Sequence, residues 1–375
     1  MNKEIKVLEN NLINKIAAGE VIERPASIVK ELVENSIDAN ATNITIEIKN
    51  GGTSFIKITD NGSGIKKSQV KTAFLRHATS KLQKLTDLDS ILTLGFRGEA
   101  LSSIASISQV EVITKTKDDD IGVKLSISGG NIISEEDIAC LNGTTFTVKN
   151  IFFNTPARRK FLKKDSVESG YISEIVNRLA LGHPSIAFKY INNNTTMLQT
   201  SGNNDIKNTI LNIYGKDIAK KMIAIENSKN GFKLSGLIGL PELSRGNRNY
   251  ENFFINGRYI KSSIVTNAIE EAYSGKIMIH KFPVFAINLT VPKNTVDVNV
   301  HPTKLEVRFE DEDFIFEFIK NSIEKTLKNE TLIPEVKANV ENFSDIAKTV
   351  PFNAEKQNDL EEFLLLEEDE SNFKP

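Results

Sequence analysis

Few residues of the kind that crosslink a small fold or bind metal occur in this chain. Its 375 residues include one cysteine, four histidines and no tryptophan. The single thiol, Cys140, excludes a disulfide framework and a cysteine-based zinc site within the chain. The apolar runs are far shorter than the roughly 20 residues that span a bilayer, and the charged N-terminus lacks the apolar core of a signal peptide. These absences predict a cytoplasmic protein without membrane contact.

The formal net charge of −2 is unevenly distributed. Residues 355–375 contain eight acids and two lysines, and without them 45 basic and 41 acidic residues remain, a net charge of +4. A mildly basic body with an acidic tail permits contact with DNA phosphates. An ordinary solvated surface fits the same composition.

Alternating apolar residues and turn dipeptides predict a mixed helix and strand organisation. The sequence predicts helices at 12–20, 26–38, 98–108, 167–181, 264–273 and 313–328. It predicts strands at 44–48, 55–59, 110–114, 121–128, 144–148, 253–255, 284–291 and 305–309, and a strand-rich stretch from about 221 to 239. The first two strands flank Gly51-Gly52, a hairpin pattern that favours antiparallel or mixed pairing over a βαβ fold.

The length of the chain predicts two or three domains, each large enough for its own core. We expect a first domain at 1–215, a second at 216–330, and an acidic, disordered linker at 331–375.

Three polar residues share one face of the helix predicted at 26–38. Glu31, Asn35 and Asp38 stand at i, i+4 and i+7. Carboxylate and amide oxygens so placed suit a site in which Asn35 holds magnesium and Glu31 activates water. Glu34 is a rival base by spacing, and a solvated helix face fits the same residues.

The strand predicted at 55–59 ends in the turn Asp60-Asn61-Gly62-Ser63-Gly64. The Asp60 carboxylate can accept a hydrogen bond from an adenine amino group, and the glycines let the backbone approach a base closely. Asp-Asn-Gly is also a common turn sequence, so both roles are compatible.

Together the two motifs resemble the ATP-binding motifs of the superfamily that includes DNA gyrase, Hsp90, histidine kinases and MutL. Gly95–Leu101 resembles the second, glycine-rich ATP motif of that superfamily. Three further motifs resemble the MutL family of DNA mismatch repair proteins: Lys15–Val21, Asn154–Phe161 and Asp297–Lys304. The resemblance is to the N-terminal ATPase portion of that family and runs from about Ile5 to about Lys328.

The resemblance implies the fold and the site. It implies an α+β chain: an α/β sandwich ATPase domain with a mixed sheet, then a smaller α/β domain like domain 2 of ribosomal protein S5. It implies ATP and Mg²⁺ as cofactors, Glu31 as general base, Asn35 as magnesium ligand and Lys304 as a γ-phosphate contact from the second domain. The other ATP-binding residues that it implies are Asp60, Gly62, Gly64, Thr79, Ser80, Lys81, Gly95, Phe96, Arg97, Gly98, Glu99, Ala100, Thr144 and Asn299.

The resemblance also implies the function. We expect slow, magnesium-dependent hydrolysis of ATP to ADP and phosphate, coupled to homodimerisation. The dimer would act as a switch between the mismatch recognition protein MutS and a downstream nuclease and helicase, in the cytoplasm and at the nucleoid. The pattern Gln357, Leu360, Phe363 is similar to peptides that dock sliding clamps, although chance also produces so short a match.

Clustered basic residues predict binding to the DNA backbone without sequence preference. The candidates are Arg158, Arg159, Lys160, Lys163, Lys164, Arg245, Arg248, Arg258 and Lys261. No recognition-helix or zinc-finger motif accompanies them, so base readout is not expected.

Three other classes compete with this interpretation: a type II topoisomerase ATPase subunit, an ATP-gated scaffold that does not hydrolyse, and a nuclease. The motifs at 154–161 and 299–304 favour mismatch repair over the topoisomerase. With few histidines and one cysteine, the chain has no dense metal-ligand cluster, and we expect no nuclease activity in it.

Overall fold

The computed structural model describes residues 22–81, 94–95, 98–292, 296–297 and 307–330. Two large β-sheets organise this part of the chain, and helices cover them. None of the helices within it is both long and apolar enough to cross a bilayer.

The first sheet has eight strands in the order β5-β4-β3-β6-β2-β1-β7-β8. They are β1 Asn43–Lys49, β2 Phe55–Asp60, β3 Gln109–Lys115, β4 Gly122–Ser128, β5 Asn131–Ile138, β6 Gly143–Lys149, β7 Ala187–Asn192 and β8 Thr195–Gln199. Strands β1 and β7 pair in parallel, and every other neighbouring pair is antiparallel. The sheet is therefore mixed, as the sequence predicts.

Helices cover one face of this sheet: α1 Pro25–Asp38, α2 Ala100–Ile107 and α4 Asp165–Gly182. The short helix α3 Pro156–Arg159 lies between α2 and α4 in the chain and has no buried residue. Alternate residues of β1, Ile44, Ile46 and Ile48, are buried in the same core as Leu32 of α1 and Val176 of α4. Proline at the first position of α1 suits a helix start, because that N–H has no partner within the helix.

The second sheet has five strands in the order β12-β11-β13-β10-β9, with β11 and β13 parallel. They are β9 Met222–Lys229, β10 Phe232–Gly239, β11 Glu251–Ile255, β12 Arg258–Tyr259 and β13 Phe285–Thr290. The remaining helices are α5 Ile206–Tyr214, α6 Lys216–Lys220, α7 Ser263–Ala272 and α8 Glu312–Asn329. A separate two-stranded pair joins β14 Val296–Asp297 to β15 Arg308–Phe309.

Both faces of the second sheet are buried. One face forms a core with α7 and α8, which includes Phe253, Ile269 and Ile319. Phe254, which points to the opposite face, lies in another core with Ile210 of α5. Leu181 at the end of α4 belongs to that core too, so the helix layer of the first sheet continues into the second.

The predicted α+β class is confirmed, and five predicted helices are confirmed to within two residues at each end. The helix predicted at 12–20 and the linker at 331–375 lie outside the described residues, as does part of the strand predicted at 305–309. The sequence analysis missed β5, β7, β8, β12, β14, α3, α5 and α6. The domain boundaries at 215 and 330 stay predictions.

Candidate functional site

Asp60 ends β2 at a buried position between α1 and β6. Its carboxylate accepts hydrogen bonds from the Ser36 hydroxyl at 2.8 Å, the Gly62 N–H at 2.9 Å and the Thr144 N–H at 3.3 Å. Burial raises the pKa of Asp60 above its ordinary value, although these three donors oppose the shift. A carboxylate held only by neutral donors keeps acceptor capacity for a further ligand.

Two threonines lie beside Asp60. The Thr114 hydroxyl of β3 is 3.1 Å from the Thr144 hydroxyl of β6 and accepts a bond from the Ile65 N–H at 2.9 Å. The sequence analysis missed Thr114 and Ser36. Thr114 carried a usable signal, because it is the polar member of the inward row Val110, Val112, Thr114; Ser36 carried none.

The turn after Asp60 is fixed by backbone contacts. Asn61 Oδ1 accepts from the N–H groups of Thr42 and Asn43, both at 2.9 Å, and the Ser63 N–H donates to Ala39 O at 2.9 Å. Gly64 has φ +73 and lies against the Lys115 carbonyl, so a side chain there would meet backbone. These contacts explain the glycine at position 64 by the geometry of the turn alone.

Asp38, at the end of α1, gathers groups from two other segments. Its carboxylate pairs with Lys81 Nζ at 2.6 Å and accepts from the N–H groups of Leu94 at 3.0 Å and Gly95 at 3.2 Å. The spacing analysis placed Asp38 on the polar face of α1 but gave it no role in the site.

Asn35 lies one turn earlier on the same helix face. Its Oδ1 accepts from Lys81 Nζ at 2.8 Å, and a side chain on Gly95 would start 3.8 Å from the same oxygen. The amide oxygen already faces a cation, so its surroundings fit a positively charged partner such as Mg²⁺. The described residues contain no group of three or more His, Cys, Asp or Glu that could hold a metal by themselves.

Glu31 and Glu34 share the ammonium of Lys30. Lys30 Nζ lies 3.3 Å from Glu31 Oε1 and 3.0 Å from Glu34 Oε1. The Glu34 side chain is 9% exposed and that of Glu31 26%. Burial raises the pKa of Glu34 above its ordinary value, although Lys30 opposes the shift.

The segment 77–81 lies against the residues that lead into α2. Gly98 packs on the backbone of Ala78, and His77 Nδ1 is 3.4 Å from Glu99 Oε1. The Thr79 hydroxyl accepts from the Lys81 N–H at 3.1 Å, and Ser80 is exposed. Ala100 begins α2.

Thirteen of the seventeen residues predicted for the nucleotide site lie among the described residues, along α1, at the end of β2, at the start of β6, and between residue 79 and the start of α2. Phe96, Arg97, Asn299 and Lys304 lie outside the described residues. The roles of all seventeen stay predictions.

The basic residues predicted to contact DNA do not share one environment. Arg159, Lys160, Lys163 and Lys164 are exposed on α3 and the loop after it. Asn154 Nδ2 ties the start of this segment to Ser106 O of α2 at 2.8 Å. Arg158 of α3 is half-buried.

The predicted DNA-binding residues near the second sheet differ more in exposure and in their partners. Lys261 is exposed, whereas Arg248 forms two hydrogen bonds with the Glu270 carboxylate, at 2.7 and 3.1 Å. The Arg245 guanidinium lies 5.5 Å from the ring centroid of Tyr250. Arg258 is partly buried, and its Nη2 donates to Leu94 O at 2.7 Å.

Two family models match the chain. The model described as histidine kinase-, DNA gyrase B- and HSP90-like ATPase matches residues 23–154. The model described as DNA mismatch repair protein, C-terminal domain, matches residues 210–328.

Two proteins of similar sequence are DNA mismatch repair proteins of the MutL type. The DNA mismatch repair protein MutL of Agathobacter rectalis is 52% identical over 332 residues, which cover 88% of this chain and 51% of that protein. MutL of Shouchella clausii is 48% identical over 333 residues, 89% of this chain and 51% of that protein. The chain thus spans about half the length of the curated relatives it matches.

Solved structures share the fold. A crystal structure of the N-terminal domain of a DNA repair protein aligns with a TM-score of 0.72 at 28% identity, covering 84% of this chain and 98% of that one. The Aquifex aeolicus MutL ATPase domain complexed with ADP aligns with a TM-score of 0.59 at 23% identity, covering 81% and 98%. The second likeness concerns the fold alone.

Proposed function

Because this chain belongs to the MutL family of DNA mismatch repair proteins, we propose that it binds ATP at the ends of α1 and β2 and hydrolyses it. The observation that carries the proposal is Asp60. A buried carboxylate supported only by neutral donors is costly for folding at neutral pH, and such a cost is typical of a functional site.

The Asp60 end binds adenine. The carboxylate accepts from the exocyclic amino group, and the Thr144 and Thr114 hydroxyls lie within reach of the same base edge. A site that offers buried acceptors discriminates strongly against a base that lacks the matching donor.

The other end binds the phosphates. The N–H groups at the start of α2, from Gly98 to Ala100, suit phosphate oxygens, and Lys81 adds a positive charge from the facing segment. Magnesium, when bound, neutralises triphosphate charge, and Asn35 Oδ1 would hold it once Lys81 turns from that oxygen toward the phosphates. Lys304 and Asn299 would complete this end from the second domain.

Glu31 is the general base of this proposal. The family resemblance implies this role, and Glu31 is the more exposed of the two acids that share Lys30, so a water molecule reaches its carboxylate more easily. Glu34 is nearly buried beside Lys30, which leaves less of its carboxylate open to water.

Family membership supports the wider role. We propose that ATP drives homodimerisation of this portion, and that the dimer communicates mismatch recognition by MutS to a nuclease and a helicase. The exposed basic residues Arg159, Lys160, Lys163 and Lys261, together with Arg158, would hold the DNA backbone without reading sequence.

Magnesium-dependent ATP turnover tests the proposal, measured on the unchanged chain, Glu31→Ala and Glu34→Gln, with ATP affinity measured on all three. We expect slow turnover that falls in Glu31→Ala by about 100-fold or more, the usual contribution of a general base, while ATP affinity survives. Light scattering with ATP is expected to show a dimer that persists in Glu31→Ala.

Glu34→Gln separates the two acids, because it keeps the shape and removes only the charge. If Glu34→Gln loses turnover and Glu31→Ala does not, the roles are reversed. Binding without turnover in every form would identify an ATP-gated scaffold, and no binding would remove the nucleotide proposal altogether.

A further inference from the structure

The hairpin β11–β12 reaches from the second sheet to the helix layer of the first. Its turn, Asn256-Gly257, has positive φ at both residues, 49 and 82. A Cβ on Gly257 would lie 2.7 Å from His183 Cε1, and one on Gly182 would lie 2.5 Å from Gly257 O. Two glycines thus permit the turn to touch the end of α4, and the position of the hairpin is fixed there.

Arg258 follows this turn and points into the phosphate end of the site. Its Nη2 donates to Leu94 O at 2.7 Å. The N–H of the same peptide unit belongs to Gly95 and donates to Asp38 at 3.2 Å. One peptide group is therefore held on both sides, by the second sheet at its oxygen and by α1 at its nitrogen.

Charge explains why a buried guanidinium is tolerated at this position. Burial lowers the pKa of Arg258, while the acids of α1, Glu34, Asp38 and Glu31, raise it. These three carboxylates face three cations among the described residues, Lys30, Lys81 and Arg258. Removing Arg258 would leave the acidic face of α1 short of one positive charge.

We propose that Arg258 is a positioning residue for nucleotide turnover, which couples the second sheet to the peptide Leu94–Gly95 beside Asp38. This rests on the proposed ATPase function. It also removes Arg258 from the DNA-contacting set that its sequence context suggested, because a partly buried guanidinium that donates to a carbonyl and is stabilised by the charge of the α1 acids is poorly placed for DNA phosphates. A shift of the hairpin would move that peptide, and with it the amides that bind Asp38.

The experiment compares Arg258→Gln and Arg258→Lys with the unchanged chain. Lys220→Gln is the matched control, since it removes an exposed cation of α6 to which no role is assigned. For each form kcat, KM for ATP, the melting temperature and DNA affinity at several salt concentrations are measured. We expect kcat in Arg258→Gln to fall about tenfold or more, as for the loss of one charge-assisted hydrogen bond, with partial recovery in Arg258→Lys. DNA affinity and its salt dependence should match the control.

A loss of DNA affinity with a smaller salt slope and unchanged kcat would overturn the proposal and return Arg258 to DNA contact. Equal kcat in all forms would overturn it as well. If Arg258→Gln fails to fold, the comparison rests on Arg258→Lys.

Hydrogen exchange separates this proposal from the ATPase proposal. In Arg258→Lys the amide of Gly95 should exchange faster than in the unchanged chain, even if no form hydrolyses ATP. In a second outcome, the unchanged chain hydrolyses ATP while Arg258→Lys shows the same Gly95 exchange and the same kcat. That result would support the ATPase proposal and contradict the role of Arg258.

Discussion

The two ends of the site each contain a largely buried carboxylate, yet the two are held in different ways. Asp60 is supported by one hydroxyl and two backbone N–H groups. Asp38 is supported by the ammonium of Lys81 and by the N–H groups of Leu94 and Gly95.

The difference lies in which parts of the chain supply the partners. Asp60 draws on α1, β6 and its own turn, which a single sheet and its helix hold in register. Asp38 draws on two segments outside that sheet, and one of them is tied in turn to Arg258 of the second sheet. The proposed adenine end is therefore preformed, whereas the proposed phosphate end depends on separate segments being brought together by charge.

Asp60→Asn should have the largest effect on function and the least effect on folding. The amide can still accept from Gly62 and Thr144, and Ser36 can donate to Leu32 O, which lies 3.2 Å away, while accepting from the new amide. It presents the wrong group to an adenine amino donor, so calorimetry should show ADP affinity falling about 100-fold. The melting temperature without nucleotide should stay level or rise, because the buried charge is gone. A large fall in melting temperature would mean that Asp60 is chiefly structural.

The pH dependence of stability tests the contact between α4 and the β11–β12 hairpin, because His183 lies at that contact. Burial lowers its pKa to about 4, and Nε2 has no hydrogen-bond partner among the described residues. The folded state then binds fewer protons than the unfolded state between about pH 4 and the ordinary value of 6.5, so stability falls as the pH falls through this window. Between pH 7 and pH 5 this loss is about 2 kcal/mol.

Urea unfolding of the unchanged chain and of His183→Gln at both pH values isolates this contribution. Glu251, whose pKa burial raises to about 8, contributes the opposite slope but is present in both forms. Between pH 7 and pH 5 the free energy of unfolding of the unchanged chain should fall by about 2 kcal/mol more than that of His183→Gln. Parallel curves would show that His183 is protonated in the folded protein at pH 5.

Asp38→Asn should have the smallest of the three effects, because the Lys81 side chain is 20% exposed and can turn to water. We expect a cost of about 1–2 kcal/mol in the free energy of unfolding, from one weakened ion pair and one misdirected backbone N–H. The same substitution should reduce ATP affinity about tenfold through the loosened peptide Leu94–Gly95. Asp165→Asn, at the exposed start of α4, is the control for charge. A melting temperature that falls less than in Asp60→Asn would reverse the comparison.

Sequence patterns predicted the elements whose burial alternates. The row Ile44, Ile46, Ile48 identified β1, and the spacing of Glu31, Asn35 and Asp38 placed the last two on one face of α1, where both contact Lys81. Strand β5 was not predicted, because its residues are mostly exposed at a sheet edge, where apolar alternation is not required. Strands β7 and β8 escaped because they are short and connected by Asn193-Asn194 within a polar run.

Contacts between distant segments were beyond sequence reasoning. The bond from Arg258 to Leu94 joins residues 164 positions apart, and no local pattern marks it. From the sequence, Arg258 and Lys261 are both basic residues that follow the same turn. In the structure, the charge of the α1 acids acts on Arg258, whereas Lys261 is exposed.

The order of strands in the first sheet has a consequence for synthesis and for cutting the protein into parts. Strand β1 pairs in parallel with β7, so its outer edge stays bare until residues 187–192 have left the ribosome. A fragment ending at residue 154, where the match to the ATPase family model ends, would contain Asp60, Thr114 and Thr144. It would also expose an apolar strand edge and lose α4 from the core, which invites self-association. The smallest soluble unit that carries the Asp60 end of this site should therefore extend at least through β8.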